Sequence, residues 1–238
     1  MVKTALKKRL PRSVYLDLRN AFKVSRFFFH TLKITFAARK RLDDVCGDRL
    51  LLHLGCGNVC HAGWINVDIR PPDGGYFADF RNPIPLPDGC ARHIHCEHVL
   101  EHLDYEDAIS FLGECHRVLE RGGSLRLILP DAEKYLRAYG SDDTPFFDQF
   151  KHLGGAVHPL NLKMEVINQM FRMGGAHRFA WDFETIRHHL ERIGFADIHK
   201  SSFGDVVAEF KIDGIDPWRE QESVYVNASK INRSSNIN

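Results

Sequence analysis

Leu50-Leu51-Leu52-His53-Leu54-Gly55-Cys56-Gly57-Asn58 is an apolar run that stops at two glycines one residue apart. A run of this length bounded by glycine reads as a strand buried on both faces, as in a parallel sheet. Gly55 and Gly57 remove side chains where the backbone must turn and where a ligand can approach. A second apolar run, Gly63-Trp64-Ile65-Asn66-Val67-Asp68-Ile69, ends in a carboxylate. In doubly wound sheets, ligands bind outside the carboxyl ends of the strands. The glycine turn and Asp68 therefore meet at one crevice, where the carboxylate can accept from both hydroxyls of a ribose.

Two cofactor classes use this layout. A dinucleotide site wants a third glycine and an acidic residue about 20 positions on. Here Cys60 stands at the third position, Asp68 comes too early, and Gly57 to Trp64 leaves little room for a crossover helix. An S-adenosylmethionine site needs only the close turn and the ribose carboxylate, because that molecule has no phosphate.

Outward from this stretch the chain alternates strand and helix. Tyr76–Phe80 reads as a short strand near Asp79, and Ala91–Cys96 as a longer one. Tyr105–Leu119 reads as a helix with Ala108, Phe111, Leu112, Cys115 and Val118 on one face, stopped by Gly122-Gly123. Ser124–Leu129 reads as a strand. Residues 132 to about 180 interrupt the alternation with a helix near Leu162–Met173, at the place where an insertion covers the crevice. A helix over Asp182–Arg192 and strands over Phe195–Ser201 and Ser223–Ser229 follow. With no crossover helix of ordinary length between them, the last two strands pair antiparallel. The fold expected is a Rossmann-like, doubly wound, mostly parallel sheet with its last strand antiparallel. An N-terminal helical arm (1–44), a main domain (45–230) that includes the insertion as a helical lid, and a flexible tail (231–238) complete it.

The 238 residues carry a net charge of only +1, but the charge is unevenly spread: residues 1–41 hold twelve of the 32 Lys and Arg and one of the 31 Asp and Glu. Leu18, Phe22, Phe29, Leu32 and Phe36 fall at helical spacing among Arg19, Lys23, Arg26 and Lys33. Such an arm either attaches to an anionic membrane surface or acidic partner, or packs its phenylalanines on the domain. Nucleic acid is disfavoured as a substrate, since the body is acidic and lacks an Asn-Pro-Pro-Tyr-like base-flipping signature. The six cysteines show no paired spacing and read as reduced, cytoplasmic thiols. No apolar run approaches the ~20 residues of a membrane span.

Assembled, the pattern resembles the class I S-adenosylmethionine-dependent methyltransferases of the type 11 group. The resemblance is carried by Leu52–Gly57, Val67-Asp68, Ala78-Asp79-Phe80, Leu86-Pro87-Asp88-Gly89, Cys96–His102 and Glu114–Gly123. His53 and Val59 depart from the common pattern. The resemblance implies that Gly55, Cys56 and Gly57 line the methionine part of the cofactor, that Asp68 holds the ribose and Ile69 the adenine. Asp79 would meet the adenine amine with Phe80 beside it, and Cys96 and Glu97 would flank the sulfonium. The acceptor expected is an oxygen or nitrogen of a small molecule or glycan. His158, His177, Glu97 and His98 are the candidates for moving its proton. A second reading is a non-catalytic cofactor-binding or adaptor module. A remote third is a zinc peptidase, since His98-Val99-Leu100-Glu101-His102 matches H-x-x-E-H. That motif follows a strand directly, so no metal is expected. His93 and His95 alternate on one strand face as buried, hydrogen-bonded imidazoles, and His188-His189 read as surface.

Overall fold

The computed structural model describes residues 41–231 apart from 46, 152–155, 157, 215 and 216. The basic arm and the C-terminal tail expected from the sequence lie outside the described residues, save for the end of the arm. There a short 3₁₀ turn, Leu42–Asp44, buries Leu42.

Seven strands form one sheet: β1 (Leu50–Leu54), β2 (Ile65–Asp68), β3 (Tyr76–Phe77), β4 (Ala91–Glu97), β5 (Leu119–Pro130), β6 (Phe195–Ser201) and β7 (Ser223–Lys230). Their order is β3-β2-β1-β4-β5-β7-β6. The first five pair in parallel, and β7 runs antiparallel to both neighbours. The strand order reverses between β1 and β4, which puts the ligand crevice at their carboxyl ends. Between β1 and β2 there is no helix at all, only turns, across the stretch where the sequence leaves little room for a crossover helix.

The apolar face of the sheet is covered by α1 (Tyr105–Val118) and α5 (Phe183–Ile193). Ala108, Phe111, Leu112, Cys115 and Val118 from α1 and Ile186 and Leu190 from α5 pack on Leu52, Leu54, Ile94, Leu125, Leu127 and Val226. α1 starts with Glu106 and Asp107 and ends with His116 and Arg117, each charge placed to favour the helix dipole. α5 is capped by Asp182, which accepts from the Thr185 N–H, and ends on left-handed Gly194. β5 begins directly after α1, five residues ahead of the expected start. Gly122 and Gly123 sit inside the strand, where the register against β4 shifts between Ala91 and His93. Left-handed Gly122 supplies the bulge.

The opposite face is polar. Strand alternation brings His53, Asn66, His93, His95, Arg126 and Asn227 to it, and the first five are buried. The segment after β6 covers them. Phe210 stacks on His93 at 4.1 Å, and Asp213 takes both Nε and Nη2 of Arg126. Arg126 also donates to Asn227 Oδ1 and the Ser202 carbonyl, so this fully buried cation is paired and its hydrogen bonds made.

Between β5 and α5 the insertion contains α2 (Ala132–Gly140), α3 (Thr144–Asp148) and α4 (Lys163–Arg172). It has a small core of its own, with Tyr135, Phe147, Phe150, Leu160, Val166 and Met170. Only α4 is marked by periodicity in the sequence. α2 is announced by Asp131, whose carboxylate accepts from the Glu133 N–H. A last short helix, α6 (Pro217–Glu222), leads into β7.

Burial pushes His53 down to about 4 and His93 down to about 3, aided in both by the neighbouring His95. In the unfolded chain each returns to about 6.5. A folded pKa below the unfolded one gives stability that is complete above pH 6.5 and is lost progressively as pH falls from there to the folded values. We expect the unfolding free energy from denaturant titration to fall between pH 7 and pH 5 by ~2 kcal/mol per histidine. The double variant His53→Gln/His93→Gln should flatten that slope.

Candidate active site

The first glycine turn is built around a close approach. Gly55 has φ +82°, and a Cβ on it would stand 2.1 Å from Val99 Cγ2 and 3.2 Å from the Glu97 carbonyl oxygen. The turn hangs from β2: the N–H groups of Gly55 and Cys56 both donate to the Val67 carbonyl, at 2.8 and 3.1 Å. Gly57 also has positive φ, +54°, but a Cβ there would meet nothing within 4 Å. One glycine is needed for packing, and the other faces open space where a ligand can lie. The Cys56 side chain is buried, and burial with the Asp68 charge pushes its thiol up to about 12. Cys56 therefore contributes backbone and bulk, not a thiolate.

Asp68 ends β2 under this turn. It accepts from the Gly57 N–H at 3.0 Å and from the Arg70 N–H at 2.7 Å. A carboxylate offers about four lone-pair sites, so two remain for a diol. Ile69 follows, half-buried. Asp79, just past β3, is bound by Arg81 through its backbone N–H and the Nε and Nη2 of its guanidinium. Burial opposes ionisation of Asp79, but these bonds outweigh it and hold the carboxyl below its usual range. Phe80 is turned inward against Phe111, 4.9 Å between ring centres. Gly55, Gly57, Asp68 and Asp79 thus lie at the strand ends, with Asp79 committed to Arg81 and Phe80 largely to the core.

At the end of β4 the expected residues diverge. The Cys96 side chain is in the core. Glu97 faces the polar side of the sheet, where it receives the Gly214 N–H at 3.0 Å and Nη1 of Arg219. Burial would raise its pKa, but His95, Arg219 and Gly214 together hold it down at about 2. Glu97 is a fastening for the segment before α6, and its carboxylate is already spent. His98 is left-handed, φ +53°, which breaks the strand and sends the imidazole sideways. Its Nδ1 stands 3.0 Å from Glu101 Oε1, and its Nε2 stands 3.7 Å from Glu222 Oε1. Burial lowers its pKa, but Glu101 and Glu222 outweigh that and raise it. Glu222 is itself raised by burial, and Tyr135 donates to its Oε2 at 2.8 Å.

His98 opens onto a cavity of about 170 Å³ between the ends of β4 and β5 and the insertion. His98, His102 and Pro130 form its floor; Tyr135, Phe150, Leu160, Gln169, Met170 and His177 come from the insertion; Arg219 and Glu222 close it from α6. Burial lowers the pKa of His177, so it is neutral at pH 7. Of the four proton-moving candidates, His98 and His177 meet here. Glu97 lies behind the wall, and His158 lines a separate recess with Glu165, Asn168 and Arg172. Tyr135, Arg219 and Glu222 carry no local signal in the sequence. The peptidase reading fails on geometry: only Leu100–His102 form a 3₁₀ turn and His98 is left-handed, so His98 and His102 share no helix face.

Residues 74–127 match the family model described as a methyltransferase domain. That segment runs from the loop before β3 into β5 and contains Asp79, Phe80 and the whole 96–102 run. Similar solved structures include an S-adenosylmethionine-dependent methyltransferase from Archaeoglobus fulgidus, at 18% identity and TM-score 0.48, covering 77% of this chain and 87% of that one. Another, from Thermotoga maritima, has 16% identity and TM-score 0.44, covering 89% and 96%. The phosphoethanolamine N-methyltransferase 2 of Haemonchus contortus, in complex with phosphomonomethylethanolamine and S-adenosylhomocysteine, has 10% identity and TM-score 0.45, covering 86% and 52%. No curated protein matches the sequence. The matched segment supports a methyltransferase domain, and strand order and glycine turn give it the crevice of a class I, S-adenosylmethionine-dependent one. Such a domain is an enzyme whose cofactor is S-adenosylmethionine. Among the described residues no helix is long and apolar enough to cross a membrane.

The two glycines predict different costs. Gly55→Ala must displace Val99 and should lower stability by several kcal/mol, whereas Gly57→Ala should cost about 1–2 kcal/mol, the strain of positive φ alone. Urea denaturation of the two variants measures the difference.

Proposed function

We propose that this enzyme methylates an oxygen or nitrogen of a polar small molecule or glycan-type acceptor held in the cavity beside His98. The observation that carries this reading is the shared wall. Gly55 packs on Val99 and the Glu97 carbonyl, and His98, the residue between them, lines the cavity. The glycine turn and the polar cavity are therefore back to back across one residue.

Two features support the fit of the cofactor to this crevice: the open space over Gly57 and the unused lone pairs of Asp68. Backbone groups of Gly55, Cys56 and Gly57 would line its methionine part. Asp68 would hold the ribose, Ile69 would lie against the adenine, and Asp79 would take the adenine amine by sharing lone pairs now given to Arg81. Phe80 offers the adenine only an edge, and Cys96 and Glu97 only their backbone. When bound, S-adenosylmethionine supplies a methyl group already activated by its sulfonium. The chain's own work is alignment of the acceptor and, for a hydroxyl, removal of its proton. His98 is placed for that removal, with Glu101 and Glu222 on either side of the ring to stabilise the proton it takes.

Isothermal calorimetry should show S-adenosylmethionine binding, weakened ten- to a hundred-fold by Asp68→Ala, the loss expected for charged hydrogen bonds. His98→Asn should leave that affinity within two-fold and cut turnover by at least a hundred-fold. Turnover is read as S-adenosylhomocysteine released with a panel of hydroxylated and amine acceptors. Failure of the wild-type chain to bind the cofactor, or undiminished binding by Asp68→Ala, would overturn the reading.

A further inference from the structure

Glu101, His102 and His177 meet at the inner wall of the cavity, each with a ligand-capable atom within 4.8 Å of the others. Glu101 is 2% exposed. Its Oε1 faces His98, and its Oε2 has no hydrogen-bond partner among the described residues. A buried carboxylate oxygen without a donor is costly, and such a group in a folded protein calls for a partner.

The two imidazoles are set up as acceptors as well. His102 donates through Nδ1 to the Ala176 carbonyl at 3.1 Å, and His177 through Nδ1 to the Met170 carbonyl. A carbonyl only accepts, so Nδ1 carries the hydrogen of each neutral ring and Nε2 keeps its lone pair. This is the outer-shell arrangement that orients histidines on a metal. The rings stand 4.9 Å apart, edge to face. The Glu101 backbone carbonyl is fixed by the Arg178 N–H at 2.7 Å, which ties the 3₁₀ turn to the segment bearing His177. Three acceptor-bearing groups this close together, none of which offers the other two a donor, are satisfied together by a cation.

We propose that Glu101, His102 and His177 bind a divalent transition metal, zinc above all, in the wall of the acceptor cavity. Two histidines and one carboxylate are a zinc ligand set, and three protein ligands leave a coordination position open. Ligand atoms on zinc stand ~3–3.5 Å apart, so side-chain adjustment of about 1 Å closes the site. The site departs from the sequence expectation of no metal, and from the His98–His102 pairing of the peptidase motif. His102 and His177 line the cavity, so the open position faces it. On the reading of that cavity as the acceptor pocket, the site favours an acceptor that presents an oxygen. Metal binding itself does not depend on that reading.

The test uses the full chain stripped with a chelator and titrated with Co²⁺ as a spectroscopic probe, then with Zn²⁺. The expected result is one Co²⁺ per chain, seen as visible ligand-field absorption and displaced by one equivalent of Zn²⁺. Glu101→Gln, His102→Ala and His177→Ala should each weaken Co²⁺ at least ten-fold, while the control His199→Ala does not. Circular dichroism checks the fold of each variant. If His177→Ala fails to fold, zinc protection of His177 from diethyl pyrocarbonate in the unaltered chain, read by mass spectrometry, gives the same answer. Absence of stoichiometric binding, or the same Co²⁺ spectrum in all three variants, overturns the metal site. Calorimetry of S-adenosylmethionine on the stripped protein keeps the outcomes apart: cofactor binding without metal binding sinks only this proposal, and the converse sinks only the functional reading.

Discussion

A Cβ at residue 55 would overlap Val99, and much of the molecule is arranged around the absence of that one atom. Because Gly55 has no side chain, the end of β1 can press against the end of β4. Because its φ is positive, the chain can turn back so that both Gly55 and Cys56 hang from the Val67 carbonyl. The same contact brings Asp68 under the turn and leaves Gly57 facing open space. On the far side of the wall, His98 follows with its own left-handed backbone and turns its ring into the cavity. A left-handed non-glycine residue is a strained one, and here two buried carboxylates and a hydrogen bond to the Ile128 carbonyl hold it in place.

The two faces of the sheet are stabilised by different physics. The face under α1 and α5 is an ordinary apolar core. The other carries histidines, Asn66 and Arg126 where aliphatic residues would pack, and few helices are available to cover it among the described residues. What covers it instead is an irregular segment pinned by charge. Asp213 binds Arg126, the Gly214 N–H and Arg219 bind Glu97, and Phe210 stacks on His93. Removing one partner of such a buried pair is far more costly than the pair is stabilising, so the polar face specifies where this segment sits. Through it, Glu97 at the end of β4 fixes the approach to α6, and α6 brings Arg219 and Glu222 to the cavity.

The alternation of strands and helices, the glycine turn, the carboxylates at positions 68 and 79 and the antiparallel last strand are all legible in the sequence. They depend on local rules: hydrophobic period, backbone freedom of glycine, capping, and the length of a crossover. α2 and α3 are harder to see, since short capped helices over a small private core leave little periodicity. The bulge at Gly122-Gly123 is equally hidden, because two glycines after an apolar helix look like a stop, and only pairing with β4 reveals them as part of a strand. The residues of the 96–102 run are where local rules mislead. Spacing alone puts His98 and His102 on one helical face, but a single positive φ at His98 removes that helix.

By itself the sequence determined the sheet, the crevice and the carboxylate that waits there, because each follows from neighbours along the chain. Tertiary structure alone decided what shares the cavity. His177 meets Glu101 and His102 across 75 residues, Glu222 reaches His98 from the last helix, and His158 is carried to another recess. No local pattern encodes such meetings, since they are set by how the insertion packs over the ends of β4 and β5. That packing is a sum of many weak apolar contacts in which no single residue announces its partner.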